Sequence, residues 1–173
     1  TQSKSAGGGL PSWLPQIEAG VESFRWRSAW VHDTVDGQTR RLSHVGTNIW
    51  EAVWCGNDSI AAIVSPGPEE GHWYHATLAI IERATGQSRK LFVPQAQLGV
   101  LTASRSGRRV AFVEALCSDR GVIAGVLRVA ELASGRVDDI YCHDVDVTSL
   151  DWRSEECLLF AGQRGFDMVV GLC

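Results

Sequence analysis

A repeat of about 49 residues is the strongest constraint on how this chain can fold. The segments "WVHDTVDGQTRRL" (30–42), "LAIIERATGQSRKL" (78–91) and "LRVAELASGRVDDI" (127–140) share one plan. Each is an apolar-rich strand, a polar residue followed by glycine, and a second strand ending in Leu or Ile. Gly37, Gly86 and Gly135 mark the turns and lie 49 and 49 residues apart. A second landmark recurs between them: "WCGNDSIAAIVS" from Trp54, "SRSGRRVAFVEA" from Ser104 and "WRSEECLLFAGQ" from Trp152 each place a polar turn before an apolar strand. The steps between these units are 50 and 48 residues, and Ala61, Ala111 and Leu159 each fall seven residues past the first residue.

Each period reads as four short strands, exemplified by "DVTSLDW" (inner), "CLLFAGQ", "LRVAEL" and "RVDDIYC" (outer). Short strands joined by glycine-bearing turns are an all-β signature. Asp36-Gly37, Thr85-Gly86 and Ser134-Gly135 suit tight hairpins that need positive φ. Four strands repeated every 40 to 50 residues or so describe propeller blades. The expected fold class is therefore all-β, a partial β-propeller of four-stranded antiparallel blades, about three in number. Its units fall at 29–42, 47–92, 98–142 and 146–173, after an irregular leader over 1–28. Propellers close with about four to eight blades, so the ring is incomplete and its end strands need a cover. The only stretch with a helical period is 13–24, weakened by Pro15 and Gly20.

Composition narrows the function classes. A formal charge of −4 argues against a surface built for nucleic acid or an anionic membrane. No apolar run reaches the 18 or so residues of a membrane helix. The five cysteines form no C-x-x-C pair and no even-numbered framework, which fits reduced thiols and a cytoplasmic setting. No nucleic-acid or membrane partner is expected.

The turns "WCGNDSIAAIVS" and "SRSGRRVAFVEA" resemble degenerate copies of the W-S-P-D-G-x-x-[LI]-A-F motif of TolB-like and prolyl oligopeptidase-type propellers. The stretch "DVTSLDWRSEECLLFAGQRGFDMVVGL" (146–172) looks like the propeller of acylaminoacyl or dipeptidyl peptidases of that family. The motif's Pro-Asp is replaced by Gly56-Asn57, Arg105-Ser106 and Ser154-Glu155. The resemblance implies a non-catalytic segment that gates peptide access to an α/β-hydrolase domain and packs on it. The implied partners are that domain or another chain completing the ring, a peptide substrate, and in some assemblies a second copy of the chain. A TolB-like interaction module without catalysis is the alternative.

The residues themselves agree that catalysis lies elsewhere. No serine has glycine at both −2 and +2, as a nucleophile elbow requires; "GQSRK" around Ser88 has Lys90 at the second position. The alternating strand–helix pattern of a hydrolase domain is absent from the sequence. His72 and His75, with Glu69 and Glu70 nearby, are the best metal candidates, but H-x-x-H is not a helical zinc spacing. No catalytic residue, metal ligand or cofactor is assigned. Gly99 and the "GGG" at 7–9 make no phosphate loop.

Substrate contact is expected instead from loops between second and third strands: His72, Trp73 and Tyr74 in the first full unit, Asp119 and Arg120 in the next, and Arg164 in the last. Loops tipped by aromatic residues are common recognition elements. The recurring basic pairs Arg40-Arg41 and Arg89-Lys90, with Arg105, Arg108 and Arg109, read as solvated turns and outer strands. Trp54 and Trp152 share one blade position and Trp30 the third-strand position of Leu78 and Leu127, so all three read as packing residues.

Overall fold

The structure is a computed structural model that describes residues 26–173. The possible helical period at 13–24 and most of the leader lie outside the described residues. Four antiparallel sheets follow one another along the chain. The first pairs β1 (Trp30–His32) with β2 (Thr39–Arg41). The second runs β3 (Asn48–Cys55), β4 (Ser59–Ser65), β5 (Thr77–Glu82) and β6 (Ser88–Phe92) in sequence order. The third repeats the plan with β7 (Gln97–Ala103), β8 (Arg109–Ala115), β9 (Val126–Glu131) and β10 (Val137–Ile140). The fourth has β11 (Asp146–Ser154), β12 (Cys157–Arg164) and β13 (Asp167–Leu172). Among the described residues the one helical piece is α1 (Glu70–Trp73), a single turn inside the segment read from the sequence as a long loop.

The hairpins between third and fourth strands are built alike. Gly37, Gly86 and Gly135 have φ of 72°, 73° and 73°, the left-handed region that glycine enters without penalty. In each, the glycine N–H donates four residues back, to Asp33, Glu82 and Glu131, while the flanking pairs Asp33–Gln38, Glu82–Gln87 and Glu131–Arg136 close the loop. The polar residue before each glycine stiffens it: Asp36, Thr85 and Ser134 accept the N–H of Gln38, Gln87 and Arg136.

The second and third sheets each lend one face to the preceding blade and the other to the next. In the second sheet Ile60, Ala62 and Ile81 meet Val31 and Leu42 of the first. Alternation sends Ala61, Ile63, Leu78 and Ile80 to the opposite face, and these are at most 4% exposed. The third sheet sends Phe112 toward the second, where it packs on Phe92 at 5.4 Å. Its far face, Ala111, Val113, Leu127 and Val129, serves the fourth sheet, whose Leu158 and Phe160 are buried. The inner strands β3, β7 and β11 stand side by side along the axis.

Arg40 and Arg89 carry more than their reading as solvated residues allowed. Arg40 donates to the Arg83 carbonyl and Arg89 to the Leu132 carbonyl at 2.5 Å, in each case 43 residues on and in the next blade. Arg109 likewise reaches the Glu155 carbonyl at 3.1 Å. The three guanidinium groups tie successive blades at their rims. Glu155, which departs from the blade motif, returns the contact: it accepts the N–H and hydroxyl of Ser106 at 2.6 Å each. The Ser106 hydroxyl is the main reason its carboxyl titrates below the ordinary range.

Trp30 does not share the position of Leu78 and Leu127. The β1–β2 register, Trp30 opposite Arg41, matches Ala79 opposite Lys90 and Arg128 opposite Asp139. A one-residue offset moves a strand side chain to the other face, and Trp30 is 60% exposed. Trp54 is 49% exposed as well, so of the three tryptophans read as packing residues, Trp152 is the most enclosed.

All five cysteines are free thiols. Burial pushes the Cys55 thiol up to about 11 from 9.0, so the folded chain holds this proton more tightly than the unfolded one. The associated stability is complete below the unfolded value and is lost as pH rises through the folded one. Between pH 8 and about 10.5, urea unfolding of the wild type is expected to lose about 2 kcal/mol more than that of Cys55→Ala.

Candidate functional site

Each inner strand bulges at the same place. The register jumps between Ile49 and Glu51 in β3, between Gly99 and Thr102 in β7, and between Val147 and Ser149 in β11. Trp50, Val100 with Leu101, and Thr148 are the extra residues. Bulges re-aim side chains, and here they do so at the end of the inner strands from which the connections to the third strands leave. Those connections are long in two blades, 66–76 and 116–125, and only Gly165-Phe166 in the last.

The bulge in β7 is held by a charge from the neighbouring blade. Glu51 accepts the N–H of Leu101 at 2.9 Å through one oxygen and that of Val100 at 3.3 Å through the other. Val100 has φ 56°, a conformation that a β-branched residue adopts only when its surroundings enforce it. Gly99 leaves the space that the Ile123 side chain fills. Glu51→Ala is expected to destabilise the chain by about 1.5–3 kcal/mol, read by urea unfolding, because two enclosed N–H groups lose a charged acceptor.

Trp50 sits next to this lock. Its indole N–H donates to the Ser65 hydroxyl at 2.8 Å, and that hydroxyl donates to the Gly67 carbonyl at 2.7 Å. Arg27 and Arg120 place their guanidinium carbons 4.8 and 5.4 Å from the indole ring centre. Arg120 also borders a cavity of about 340 Å³ with Glu51, Val100, Gly121, Val122, Ile123 and Thr148. The cavity thus draws on all three bulges' neighbourhood and on one long connection.

The loop residues singled out from the sequence divide around this cavity. The Tyr74 hydroxyl donates to the Ser118 carbonyl at 2.8 Å, which joins the two long connections across blades. Trp73 is 1% exposed and donates to the Leu98 carbonyl at 3.3 Å, so it is a packing residue and offers no surface to a substrate. His72 is half-exposed, with Nε2 3.4 Å from a Glu69 carboxylate oxygen. Among the described residues no three His, Cys, Asp or Glu side chains are placed to share a metal ion. Asp119 accepts the Gly121 N–H at 2.7 Å and shapes the turn, while Arg120 lies over the Trp50 ring, so the two neighbours face different partners. Arg164 lies opposite Asp167 at the exposed last turn, and among the described residues it makes no side-chain hydrogen bond or ion pair with the other loop residues.

Trp50, Glu51 and Arg27 escaped the sequence reading. The available signal was Glu51: its counterparts in the next two inner strands, Leu101 and Ser149, are uncharged.

A second charged group underlies the same sheet. Glu114, 6% exposed, accepts the N–H groups of Gln95 and Ala96, and its other oxygen lies 2.5 Å from Arg128 Nε. The Nε–H is not aimed at that oxygen, so the contact is an ion pair without an aligned hydrogen bond. Arg128 also pairs with Asp139 and lies over Phe92, which places this group between blades as a structural tie.

The class that this architecture defines is the β-propeller, represented by consecutive blades of an open arc. No family model matches the chain, and no curated protein matches it. Solved structures do. An oligogalacturonate lyase in complex with manganese superposes with a TM-score of 0.59 at 12% identity, over 83% of this chain and 40% of that one. A puromycin hydrolase gives 0.54 at 17% identity over 79% and 21%. A puromycin-hydrolysing peptidase of Mycobacterium tuberculosis gives 0.53 at 15% identity over 83% and 27%. The chain therefore spans well under half of each of these proteins, and at such identities the shared property is the fold.

Proposed function

We propose that this chain is the non-catalytic propeller segment of a prolyl oligopeptidase-type serine peptidase, restricting peptide access to an α/β-hydrolase domain on which it packs. The observation that carries the proposal is the far face of the fourth sheet. Val170 pairs with Ala161 where Leu127 pairs with Val113, yet Val170 is 69% exposed and Leu127 1%. Met168 and Leu172, on the same face, are 68% and 65% exposed. A face built like two buried ones suits a further blade, and the two peptidase neighbours supply the family direction that the degenerate blade turns already suggested. Peptides would pass the mouth bordered by Tyr74, Arg120 and the half-exposed His72, with Asp119 shaping the turn. Arg164 is the corresponding contact in the last blade. A cytoplasmic setting fits the five free thiols.

One observation favours a second reading. A lyase has a similar blade arrangement, so the fold by itself does not specify peptide hydrolysis, and a TolB-like interaction module is the alternative. Sequencing the transcript past codon 173 separates them. Further blades followed by a G-x-S-x-G elbow are expected; a stop codon with no hydrolase coding downstream overturns the peptidase assignment.

A further inference from the structure

We propose that the cavity beside Arg120 binds a small organic carboxylate, with Arg120 as the recognising cation and Trp50 as the platform that fixes it. The indole is itself anchored through Ser65, so the guanidinium over it is held by a rigid surface. Among the described residues the Arg120 guanidinium over this ring makes no hydrogen bond or ion pair of its own, and its N–H fork matches a carboxylate in a bidentate contact. Arg27, within 5 Å of the same ring centre, adds a second positive charge. Among the described residues neither arginine has a carboxylate within 4.0 Å. Glu51 borders the cavity too, but both its oxygens are turned to backbone N–H groups of β7. Asp119, the nearest acid in sequence, is turned to Gly121. The cavity, about 340 Å³, takes a ligand the size of a dipeptide end or a single sugar acid.

That the carboxylate is the C-terminus of a peptide rests on the function proposed above; the site itself rests on the geometry of Arg120, Trp50 and the bulges. Both are tested in the 173-residue chain by following the Trp50 indole N–H resonance, assigned with Trp50→Phe. The probes are N-acetyl-alanyl-alanine, its C-terminal amide and D-galacturonate. The free acid is expected to shift the resonance to saturation and the amide to leave it in place. Arg120→Gln is expected to weaken the acid about tenfold or more while the melting temperature stays within about 2 °C of wild type. A shift with galacturonate and none with the peptide acid keeps the carboxylate site and removes the peptide as its ligand. Equal responses to acid and amide, no response to either acid, or an Arg120→Gln variant that binds as wild type overturns the site.

Discussion

Gly107→Ala is expected to destabilise the chain by about 3–5 kcal/mol, against about 1–2 kcal/mol for Gly135→Ala. The two glycines have nearly the same backbone, φ 71° and 73°, so an alanine pays the same left-handed penalty at both. Their surroundings differ. A Cβ on Gly135 meets nothing within 4 Å, whereas one on Gly107 falls 2.0 Å from the Gly56 nitrogen and 2.2 Å from the Cys55 carbonyl carbon. These are backbone atoms of the preceding blade's turn and cannot swing aside. Gly107 sits where the β7–β8 turn, closed by its N–H donating to Ser104 at 2.9 Å, nests on the β3–β4 turn. Relief requires the two blades to part at this rim. Urea unfolding of both variants measures the contrast, and equal costs would mean that turn conformation, not the approach of adjacent blades, determines this position.

A repeat exposes some features of a fold and hides others. A period finds residues that recur, so the hairpin glycines, the blade turns and the apolar cores of β4, β8 and β12 were legible from spacing alone. The nesting of Gly107 on Gly56 follows from equivalent turns being neighbours in successive blades, but spacing does not say how closely they approach. Register errors of one residue are also invisible to a coarse period, and one such error assigned Trp30 to the wrong face. The arginine ties recur with the period yet read as solvated residues, because solvated and blade-bridging arginines share the same sequence pattern. Only the carbonyl 43 residues on distinguishes them.

The candidate site was legible in part. Arg120 stood out as a charge on a long connection, and Tyr74 as an aromatic on its counterpart. Their setting did not, because the bulge residues Trp50, Val100 and Thr148 occupy one blade position with three unrelated chemistries. A bulge also breaks the two-residue alternation by which inner and outer faces are read. Trp50 and Arg120 meet only after two blades have stacked, so local sequence carries no trace of the pair.

The central claim is that the fourth sheet presents a blade face in the same form as the third but with nothing described against it. Placing an acid at the same position in both sheets tests this most directly. Leu127→Asp puts a charge between the third and fourth sheets at a site 1% exposed, and should cost more than about 4 kcal/mol or prevent folding. Val170→Asp, at its counterpart 69% exposed, should stay within about 1 kcal/mol of wild type in urea unfolding of the 173-residue chain. That contrast is the predicted result. A Val170→Asp variant as unstable as Leu127→Asp would mean that the face is already covered within this chain, and would contradict the open arc.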